Sequence, residues 1–467
     1  MKRKAPRIAL VNPPLLPGVM WHRLTVPIGL ACLAAVVEKV GYAVKIVDCS
    51  ALGMDFEKMK REVASFEPDI IGITSLTATF SSALQAAHLL KEVCPSALTV
   101  LGGPHVTVKS VEVINENADV DVVIRGEGEE TLLELAGCMA EERKFNQVAG
   151  ITFRKNGNTV QTPDRPFIQN LDELPYPAYH LLPLEKYKPS GSFFGKRILP
   201  IMSSRGCPFC CSFCVTSRMF GKKFRARSPK NVVDELEWLK KEHGAEAFSF
   251  YDDTLTLDKE RCLKIFEQMQ KRKIALPWDC FTRTDQISRE ILIKMKRAGC
   301  QFVTFGVESG SPQLLEAMGK GTTIEQNENA IRWAKEAGLL VATSVVIGYP
   351  GETVKTLKET FNFIHKVRPN AVYLCAATPF PGTALYELVK NLGWKMSEDW
   401  NQYNTADFTF ENPSLTNEYM EKMRKAFYDR FYSPIYILRH FFKNNLYSNI
   451  LVRVALSHYL WRIKYGF

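Results

Sequence analysis

The chain alternates short apolar runs with amphipathic stretches of helical length, and no other feature limits its fold as strongly. In the first third, runs typical of strands lie at residues 7–12, 44–48, 69–75, 98–102 and 120–125. Most are continuously apolar, as in strands that are covered on both faces. Helical patterns, such as residues 27–39 and 81–93, separate them. The pattern therefore predicts an α/β fold with a doubly wound, flavodoxin-like parallel sheet.

The alternation is interrupted after residue 146 and resumes near residue 198. Residues 151–161 predict a hairpin with an Asn156-Gly157 turn, and the proline-rich residues 174–179 predict an extended connector. Further strands are predicted at residues 199–204, 247–252, 277–282, 302–308, 340–347 and 371–376. Strand–helix units in this number predict a partial (β/α)6 barrel of the TIM type, with functional residues at the carboxyl ends of its strands.

A chain of 467 residues is long enough for about three domains of roughly 150 residues each. We predict an α/β domain over residues 1–146, a hairpin and linker over 147–195, a barrel over 196–405 and a helical region over 406–467. No apolar run approaches the roughly 18 residues of a membrane-spanning helix, and the basic start precedes a strand rather than a signal-peptide core. We therefore expect a cytoplasmic protein.

The net charge of +10 is dispersed along the chain until its last stretch. Because a nucleic-acid site needs clustered charge, we expect no nucleic-acid partner. After Asp429 the sequence has no acidic residue, and aromatic and aliphatic residues are interleaved with basic ones, which are Arg430, Arg439, Lys443, Arg453, Arg462 and Lys464. This pattern is typical of a helix on an anionic membrane surface, here the inner face, and equally of a helix packed on the barrel.

Four of the twelve cysteines fall between positions 207 and 214, whereas the other eight are scattered singly and are expected to be small buried residues. Cys207, Cys211 and Cys214 follow the first strand of the second series with the spacing C-x3-C-x2-C. Three thiolates on one loop can hold three irons of a [4Fe–4S] cluster and leave the fourth iron open to a ligand. The alternative is a zinc knuckle or a structural cluster, for which the adjacent Cys210 would have to supply a fourth ligand.

This spacing resembles the signature of the radical S-adenosylmethionine (SAM) superfamily, and the resemblance extends along the barrel. The residues that it implies for SAM binding are Phe213, Asp252, Asp253, Glu308, Ser309 and Gly348. Phe213 matches a position that contacts adenine, and Asp252 and Asp253 match the site of the amino group. Glu308 and Ser309 match the ribose motif, and Gly348 matches a motif that packs against adenine.

The predicted first sheet would bind a ligand beyond the carboxyl ends of its strands. The loops there contain glycines and hydroxyl groups, which allow a ligand to approach the backbone; the candidates are Thr74, Ser75, Gly102, Gly103, His105, Gly126, Glu127 and Gly128. A G-x-G-x-x-G dinucleotide motif does not follow the first strand. The domain resembles the cobalamin (B12)-binding domain that precedes many radical SAM barrels, in particular the group of the anaerobic magnesium-protoporphyrin monomethyl ester cyclase and the hopanoid methylases.

One motif of other cobalamin proteins, D-x-H-x-x-G, is missing from this sequence. The resemblance therefore implies cobalamin that is bound base-off, without a histidine below the cobalt. His105 and the more distant His22 are the nearest histidines, but a lone loop histidine is more often a hydrogen-bonding residue than a ligand. A vestigial domain that keeps the fold without cobalamin is an alternative that the sequence leaves open.

The resemblance implies an anaerobic enzyme that uses a [4Fe–4S] cluster, SAM and cobalamin. An electron from a ferredoxin- or flavodoxin-type reductase would cleave SAM to a 5′-deoxyadenosyl radical, and we expect C-methylation of an unactivated carbon. The apolar loop 378–382 and Phe281 favour a small, hydrophobic substrate. Alternatives are a radical ring closure or rearrangement, and a non-enzymatic cobalamin or iron–sulfur carrier. A methylthiotransferase is disfavoured, since Cys32, Cys49 and Cys94 lie in separate predicted elements.

Overall fold

The computed structural model describes residues 5–16, 25–141, 144–187 and 197–441, together with residues 452 and 456. Some residues singled out by the sequence analysis lie outside the described residues. They are His22 and the basic tail residues Lys443, Arg453, Arg462 and Lys464.

A seven-stranded sheet forms the first part of the molecule, with the strand order β2-β1-β3-β4-β5-β6-β7. Its strands are β1 (Ile8–Asn12), β2 (Val44–Asp48), β3 (Ile70–Thr74), β4 (Leu98–Gly102), β5 (Val122–Ile124), β6 (Ile151–Lys155) and β7 (Asn158–Gln161). Strands β1 to β5 are parallel, which confirms the predicted doubly wound sheet. The helices around it are α1 (Ile28–Lys39), α2 (Cys49–Leu52), α3 (Phe56–Ala64), α4 (Phe80–Val93), α5 (Pro104–Val108), α6 (Ser110–Glu116) and α7 (Glu129–Ala140).

Helices cover both faces of this sheet, because its strands are apolar on both sides. On one face, Leu30 of α1 and Leu135 of α7 share a core with the strands. On the other face, Met59 of α3 and Leu90 of α4 form a separate core. Since the helices cover the two faces, a site can form at the edge where the parallel strands end, among the loops there.

The predicted hairpin is present as β6 and β7, but it joins the first sheet instead of standing apart from it. Strand β6 runs antiparallel to β5, with Ile151 opposite Ile124. The buried Arg125 guanidinium also donates hydrogen bonds to Thr152 Oγ1 at 2.8 Å and to the Thr162 carbonyl at 2.6 Å. Pairing satisfies the backbone groups that β5 would otherwise present at an open edge. The division of the chain at residue 146 remains a prediction, while the sheet itself continues to Gln161.

The second sheet is six-stranded and parallel, in the order β15-β14-β13-β12-β11-β8. Its strands are β8 (Ile198–Ile201), β11 (Ala247–Phe250), β12 (Trp278–Thr282), β13 (Cys300–Glu308), β14 (Leu340–Ile347) and β15 (Ala371–Ala376); a short ribbon of β9 (Ser204–Arg205) and β10 (Arg225–Ala226) follows β8. Strands β8 and β15 are not paired with each other, as expected for the predicted partial barrel.

Helices follow most barrel strands, and several begin at a side chain that caps the backbone. They are α8 (Thr216–Met219), α9 (Pro229–Glu242), α10 (Lys259–Lys271), α11 (Arg289–Arg297), α12 (Pro312–Ala317), α13 (Ile324–Glu336), α14 (Val354–Val367), α15 (Ala384–Asn391), α16 (Asn417–Phe431) and α17 (Pro434–Phe441). Ser228, Asp258 and Thr353 each accept a backbone N–H three residues later in the chain. Such caps replace hydrogen bonds that a helix cannot make at its start.

Helix α16 covers the outer edge of β15. The Leu374 N–H donates to the Tyr428 hydroxyl at 2.9 Å, and the Val372 N–H donates to the Tyr432 hydroxyl at 3.3 Å. An edge strand has unpaired backbone groups, and here two tyrosines satisfy them. For this start of the basic, aromatic segment, the structure therefore agrees with the interpretation that it packs on the open side of the barrel.

Candidate functional site

The cysteine loop, residues 206–214, lies at the carboxyl ends of the barrel strands and is held there by contacts with other loops. Gly206 precedes it with φ +85°, and a Cβ there would lie 2.3 Å from the Lys223 carbonyl oxygen, so only glycine fits. Within the loop, the Ser212 N–H donates to the Met318 carbonyl at 2.9 Å. The Ser212 hydroxyl lies 2.8 Å from the Tyr349 hydroxyl, which belongs to the turn after β14. Loops from different strands thus hold the cysteines in one place.

The three predicted cluster cysteines share this loop with a fourth, Cys210, and burial divides the four into two pairs. Cys207 and Cys211 are half-buried, whereas Cys210 and Cys214 are exposed. Burial raises the pKa of the Cys211 thiol, and the charges of Lys320 and Arg283 oppose that rise. The nearest polar contact of the Cys210 sulfur is the Pro208 carbonyl, at 4.0 Å.

The prediction of a cluster and the alternative of a single metal ion require different arrangements of these thiols. Within the part of the chain that the structure describes, no three His, Cys, Asp or Glu side chains converge on a position that could hold one ion. A [4Fe–4S] cluster places each thiolate on a different iron and so does not need that convergence. The donor set of three thiols on one loop fits the cluster, whereas a zinc knuckle would require four convergent ligands.

The two carboxylates at the end of β11 have separate surroundings. Asp252 is buried and accepts the Ser203 N–H at 3.2 Å and the Ser203 hydroxyl at 2.7 Å, as well as the Ser204 hydroxyl. It therefore holds the chain that leads into the cysteine loop. Asp253 is exposed beside the loop and accepts the Thr216 hydroxyl at 3.0 Å. Although part of the residue faces solvent, surrounding groups partly desolvate its carboxylate, and this desolvation, with repulsion from Asp252, raises the pKa of Asp253 to about 6.

The end of β13 carries an unusual backbone conformation and a buried ion pair. The register with β14 shifts between Gly306 and Glu308, and Glu308 has φ +61°. A non-glycine residue in this region is uncommon and is found mainly where function or packing demands it. Its carboxylate lies 2.8 Å from the Lys320 ammonium, and both side chains are buried. A Cβ at Gly306 would lie 2.4 Å from Glu308 Oε1, so the glycine makes room for the pair.

Two further predicted SAM residues are engaged inside the protein. The Ser309 hydroxyl is buried, lies 3.0 Å from the Thr360 hydroxyl and accepts the Ser311 N–H at 3.0 Å. Gly348 has φ +82°, and a Cβ there would lie 2.9 Å from the Met420 sulfur of α16. Phe213, by contrast, is partly buried against the apolar cluster around Tyr349 at the carboxyl end of the barrel.

Glu352 follows Gly348 in the same turn and is buried. One carboxylate oxygen accepts the Gly348 N–H, and the other has no hydrogen-bond partner among the described residues. Burial raises the pKa of Glu352 to about 7.

A cavity of about 160 Å³ lies at the carboxyl edge of the first sheet. Most of the predicted cobalamin residues line it, namely Thr74, Gly102, Gly103, Gly126, Glu127 and Gly128. Residues next to the cysteine loop line it as well, namely Met202, Arg205, Met219 and Phe220. At Gly29 and Gly102 a Cβ would project into open space, so these glycines form a cradle that side chains would fill. A mostly apolar cradle of this kind fits a flat ring system, such as the base in the nucleotide tail of cobalamin.

Two of the predicted cobalamin residues do not line this cavity. The two are Ser75 and His105. Ser75 is fully buried, and its carbonyl oxygen would lie only 2.4 Å from a Cβ on Gly103, which itself lines the cavity. The His105 ring lies between Phe80 and Trp400, with ring centroids 4.1 and 4.9 Å away, in the core on the opposite face of the sheet. Burial lowers the pKa of His105 to about 4, so the ring is neutral.

A buried charge network joins the cavity to the cysteine loop. Arg205 contacts Glu127 at 3.0 Å and Glu129 at 2.6 Å, and Arg225 contacts Glu127 at 2.9 Å. The glutamates belong to the loop after β5 and to α7, whereas the arginines belong to the ribbon after β8. Arg205, Arg225 and Lys320 could not be predicted as site residues from the sequence, because no local motif marks the partner of a charged side chain.

Comparison with known proteins identifies both parts of the molecule. Residues 23–136 match the family model of the B12 binding domain, and residues 201–364 match that of the Radical SAM superfamily. The chain is 36% identical over 445 residues to an uncharacterized methyltransferase of Pyrococcus horikoshii, which covers 95% of this chain and 96% of the relative. It is 32% identical over 429 residues to the anaerobic magnesium-protoporphyrin IX monomethyl ester cyclase of Rubrivivax gelatinosus, with 90% of this chain and 74% of the relative covered.

A solved structure supports the same architecture. The radical SAM methyltransferase TsrM from Kitasatospora setae, with cobalamin and a [4Fe–4S] cluster bound, matches with a TM-score of 0.75 at 17% identity. The match covers 92% of this chain and 90% of TsrM, and it shows a shared fold. With the two family models and the full-length relatives, the chain belongs to the cobalamin-dependent radical SAM enzymes, whose cofactors are a [4Fe–4S] cluster, SAM and cobalamin.

Proposed function

We propose that this enzyme transfers a methyl group to an unactivated carbon of a small, hydrophobic molecule. The observation that carries the proposal is that residues flanking the cysteine loop, Arg205 before it and Phe220 after it, line the cavity of the first sheet. Cobalamin held there would lie beside the site of SAM cleavage. The relative from Pyrococcus horikoshii is named a methyltransferase, which also favours methylation.

In this proposal Cys207, Cys211 and Cys214 bind the cluster, while Cys210 stays outside it. When bound, the cluster and SAM supply a 5′-deoxyadenosyl radical, and cobalamin supplies the methyl group. The loop contacts of Ser212 hold the cysteines in position, and the Glu308–Lys320 pair presents a fixed carboxylate at the end of β13 for the ribose hydroxyls. Phe213 and the apolar cluster around Tyr349 keep water from the adenine side.

The hydrophobic character of the proposed substrate is inferred from apolar surface in the barrel. Phe281 in β12 is 44% exposed, which is high for a large apolar side chain in a parallel strand. The loop after β15, residues 378–382, touches the first domain, since a Cβ at Gly382 would lie 2.8 Å from the Val108 side chain. An exposed aromatic ring of this size on a barrel strand suits a hydrophobic substrate better than a highly charged one.

The test is anaerobic incubation of the loaded enzyme with methyl-deuterated SAM and an extract of its source cells. A product that gains the deuterated methyl group, and that is absent with the Cys211→Ala variant, supports methylation. An unlabelled product together with 5′-deoxyadenosine supports ring closure or rearrangement, the second candidate, which the cyclase of Rubrivivax gelatinosus favours. Failure of the wild-type chain to bind added cobalamin would contradict both and indicate a vestigial first domain.

We also propose that a ferredoxin- or flavodoxin-type reductase supplies the electron for SAM cleavage.

We further propose that the tail makes peripheral contact with the inner membrane face. No helix in the described ranges is long and apolar enough to cross a membrane. On α17, Ile435 and Leu438 are 65% and 56% exposed, which leaves apolar surface next to the basic segment. A chain shortened by deleting residues 442–467 still contains α16, α17 and the buried Tyr432. Equal sedimentation of the full and shortened chains with anionic vesicles would contradict membrane contact through the tail.

A further inference from the structure

The arginine that follows β12 is held against the cysteine loop. Arg283 Nη1 donates to the Cys211 sulfur at 3.7 Å, and its guanidinium carbon lies 3.6 Å from the centroid of the Phe209 ring. The side chain is only 5% exposed. Two residues of the cysteine loop, Phe209 and Cys211, therefore contact the Arg283 guanidinium.

The guanidinium has little freedom to move away from the sulfur. Its Nη2 donates to the Lys320 carbonyl at 2.6 Å, and Nε and Nη2 donate to the two Asp285 oxygens at 2.9 and 2.8 Å. A planar group with four fixed partners keeps its geometry when the charge of a neighbour changes. Arg283 is thus a rigid donor rather than a mobile surface cation.

Such a donor has a definite effect on a cluster ligand. When an iron–sulfur cluster gains an electron, negative charge increases on its irons and on the cysteine sulfurs. A buried cation that donates a hydrogen bond to one of those sulfurs stabilises the reduced form and raises the reduction potential. Burial limits screening by water and salt, so the effect is larger than at the surface.

We propose that Arg283 is a positioning residue that raises the reduction potential of the cluster through Cys211, with Asp285 partly offsetting its charge. The inference rests on the proposed binding of the cluster by Cys207, Cys211 and Cys214. It assigns a role to a residue that neither the cysteine motif nor the SAM motifs include. Its functional consequence is that a reductant of given strength reduces a larger fraction of the enzyme.

The experiment is an EPR-monitored redox titration of the cluster-loaded full chain without SAM. For Arg283→Met we expect the ratio of reduced to oxidised cluster at a fixed potential to fall about tenfold, which corresponds to a midpoint about 59 mV lower for one electron. For Asp285→Asn we expect a shift in the opposite direction, because a negative charge is removed beside the arginine. The matched control is Arg125→Met, which changes an equally buried arginine directly after β5, and its midpoint should equal that of the wild type.

The outcomes separate this inference from the proposed function. A wild-type chain that takes up no iron and sulfide after reconstitution would contradict the cluster site itself. A wild-type chain that binds the cluster, with unchanged midpoints in both Arg283→Met and Asp285→Asn, would overturn only the role of Arg283. If Arg283→Met loses the cluster, the midpoint of Asp285→Asn alone tests the inference. A midpoint in Asp285→Asn that equals or lies below that of the wild type then overturns it. An unchanged midpoint with weaker SAM binding in Arg283→Met would assign the arginine to SAM instead.

Discussion

Arg205 and Glu129 form an ion pair of 2.6 Å between the two halves of the molecule, with each side chain only 7% exposed. Glu129 begins α7 and lines the cavity of the first sheet, and Arg205 stands two residues before Cys207, the first of the cysteines proposed to bind the cluster. The cavity proposed for cobalamin and the loop proposed for the cluster therefore meet at this buried pair, which belongs to the same network as the pairs of Glu127 with Arg205 and Arg225. Because a buried charge is costly without its partner, we expect this contact to select the way in which the two halves meet.

A double-mutant cycle tests that contact. Arg205→Met leaves Glu129 buried without this partner, and we expect a loss of about 3–5 kcal/mol in the free energy of unfolding. The double variant Arg205→Met/Glu129→Met should be more stable than the sum of the single effects predicts, with a coupling of about 1 kcal/mol or more in urea unfolding. The exposed pair Lys366–Glu328 serves as the control, and its coupling should stay below about 1 kcal/mol. Additive single effects at Arg205 and Glu129 would contradict the interpretation.

The glycine cradle makes a prediction that separates binding from stability. Gly102→Val places a side chain in open space within the cavity, at the end of a strand where a β-branched residue is well tolerated. We expect cobalamin binding, followed by absorbance, to weaken at least about tenfold, a loss of about 1.4 kcal/mol, without a lower unfolding midpoint. Thr99→Val in the same strand is the control and should bind normally, since Thr99 does not line the cavity. Unchanged binding in Gly102→Val would place the cofactor elsewhere.

The position of His105 predicts the spectrum of bound cobalamin. Since His105 packs between Phe80 and Trp400 away from the cavity, the EPR spectrum of cob(II)alamin should show no splitting from a lower nitrogen ligand. His105→Ala should leave that spectrum unchanged. A nitrogen splitting that disappears in His105→Ala would show that the ring turns toward the cobalt.

Single cysteine variants test the choice of three ligands among four. Cys207→Ala, Cys211→Ala and Cys214→Ala should each lose the brown absorbance of the reconstituted chain and reductive SAM cleavage, because each removes one iron ligand. Cys210→Ala should retain both, with iron and sulfide content equal to the wild type. An equal loss at Cys210 would mean that the ligand spacing is different from C-x3-C-x2-C.

Glu352 predicts a pH dependence of stability. Its pKa is raised from 4.5 to about 7 by burial, so between these values the folded chain holds a proton that the unfolded chain has released. Stability should therefore fall as pH rises through this window, by about 3 kcal/mol at about 1.36 kcal/mol for each pH unit. Glu352→Gln cannot become charged, so in urea unfolding it should exceed the wild type by about this amount at pH 8.5 and match it near pH 4.5. An equal difference at both pH values would contradict a titrating Glu352.

The features predictable from sequence were those encoded by neighbouring residues. Continuous apolar runs between helical patterns predicted two parallel sheets, since strand and helix periodicities are local properties. The spacing of Cys207, Cys211 and Cys214 and the glycines at 102, 103, 126 and 128 were also local signals. These residues lie where strands end, and the carboxyl ends of parallel strands share one edge.

The tertiary structure alone decided which side chains meet across the chain and which face each one occupies. Arg205 with Glu129, Arg283 with Cys211 and Lys320 with Glu308 are pairs whose members belong to different loops. His105 adjoins the cavity loops in sequence yet packs on the opposite face, and the hairpin after residue 150 extends the first sheet. The physical reason is that a charged or aromatic residue has many compatible partners, and only the packing of whole elements selects one of them and excludes water from it.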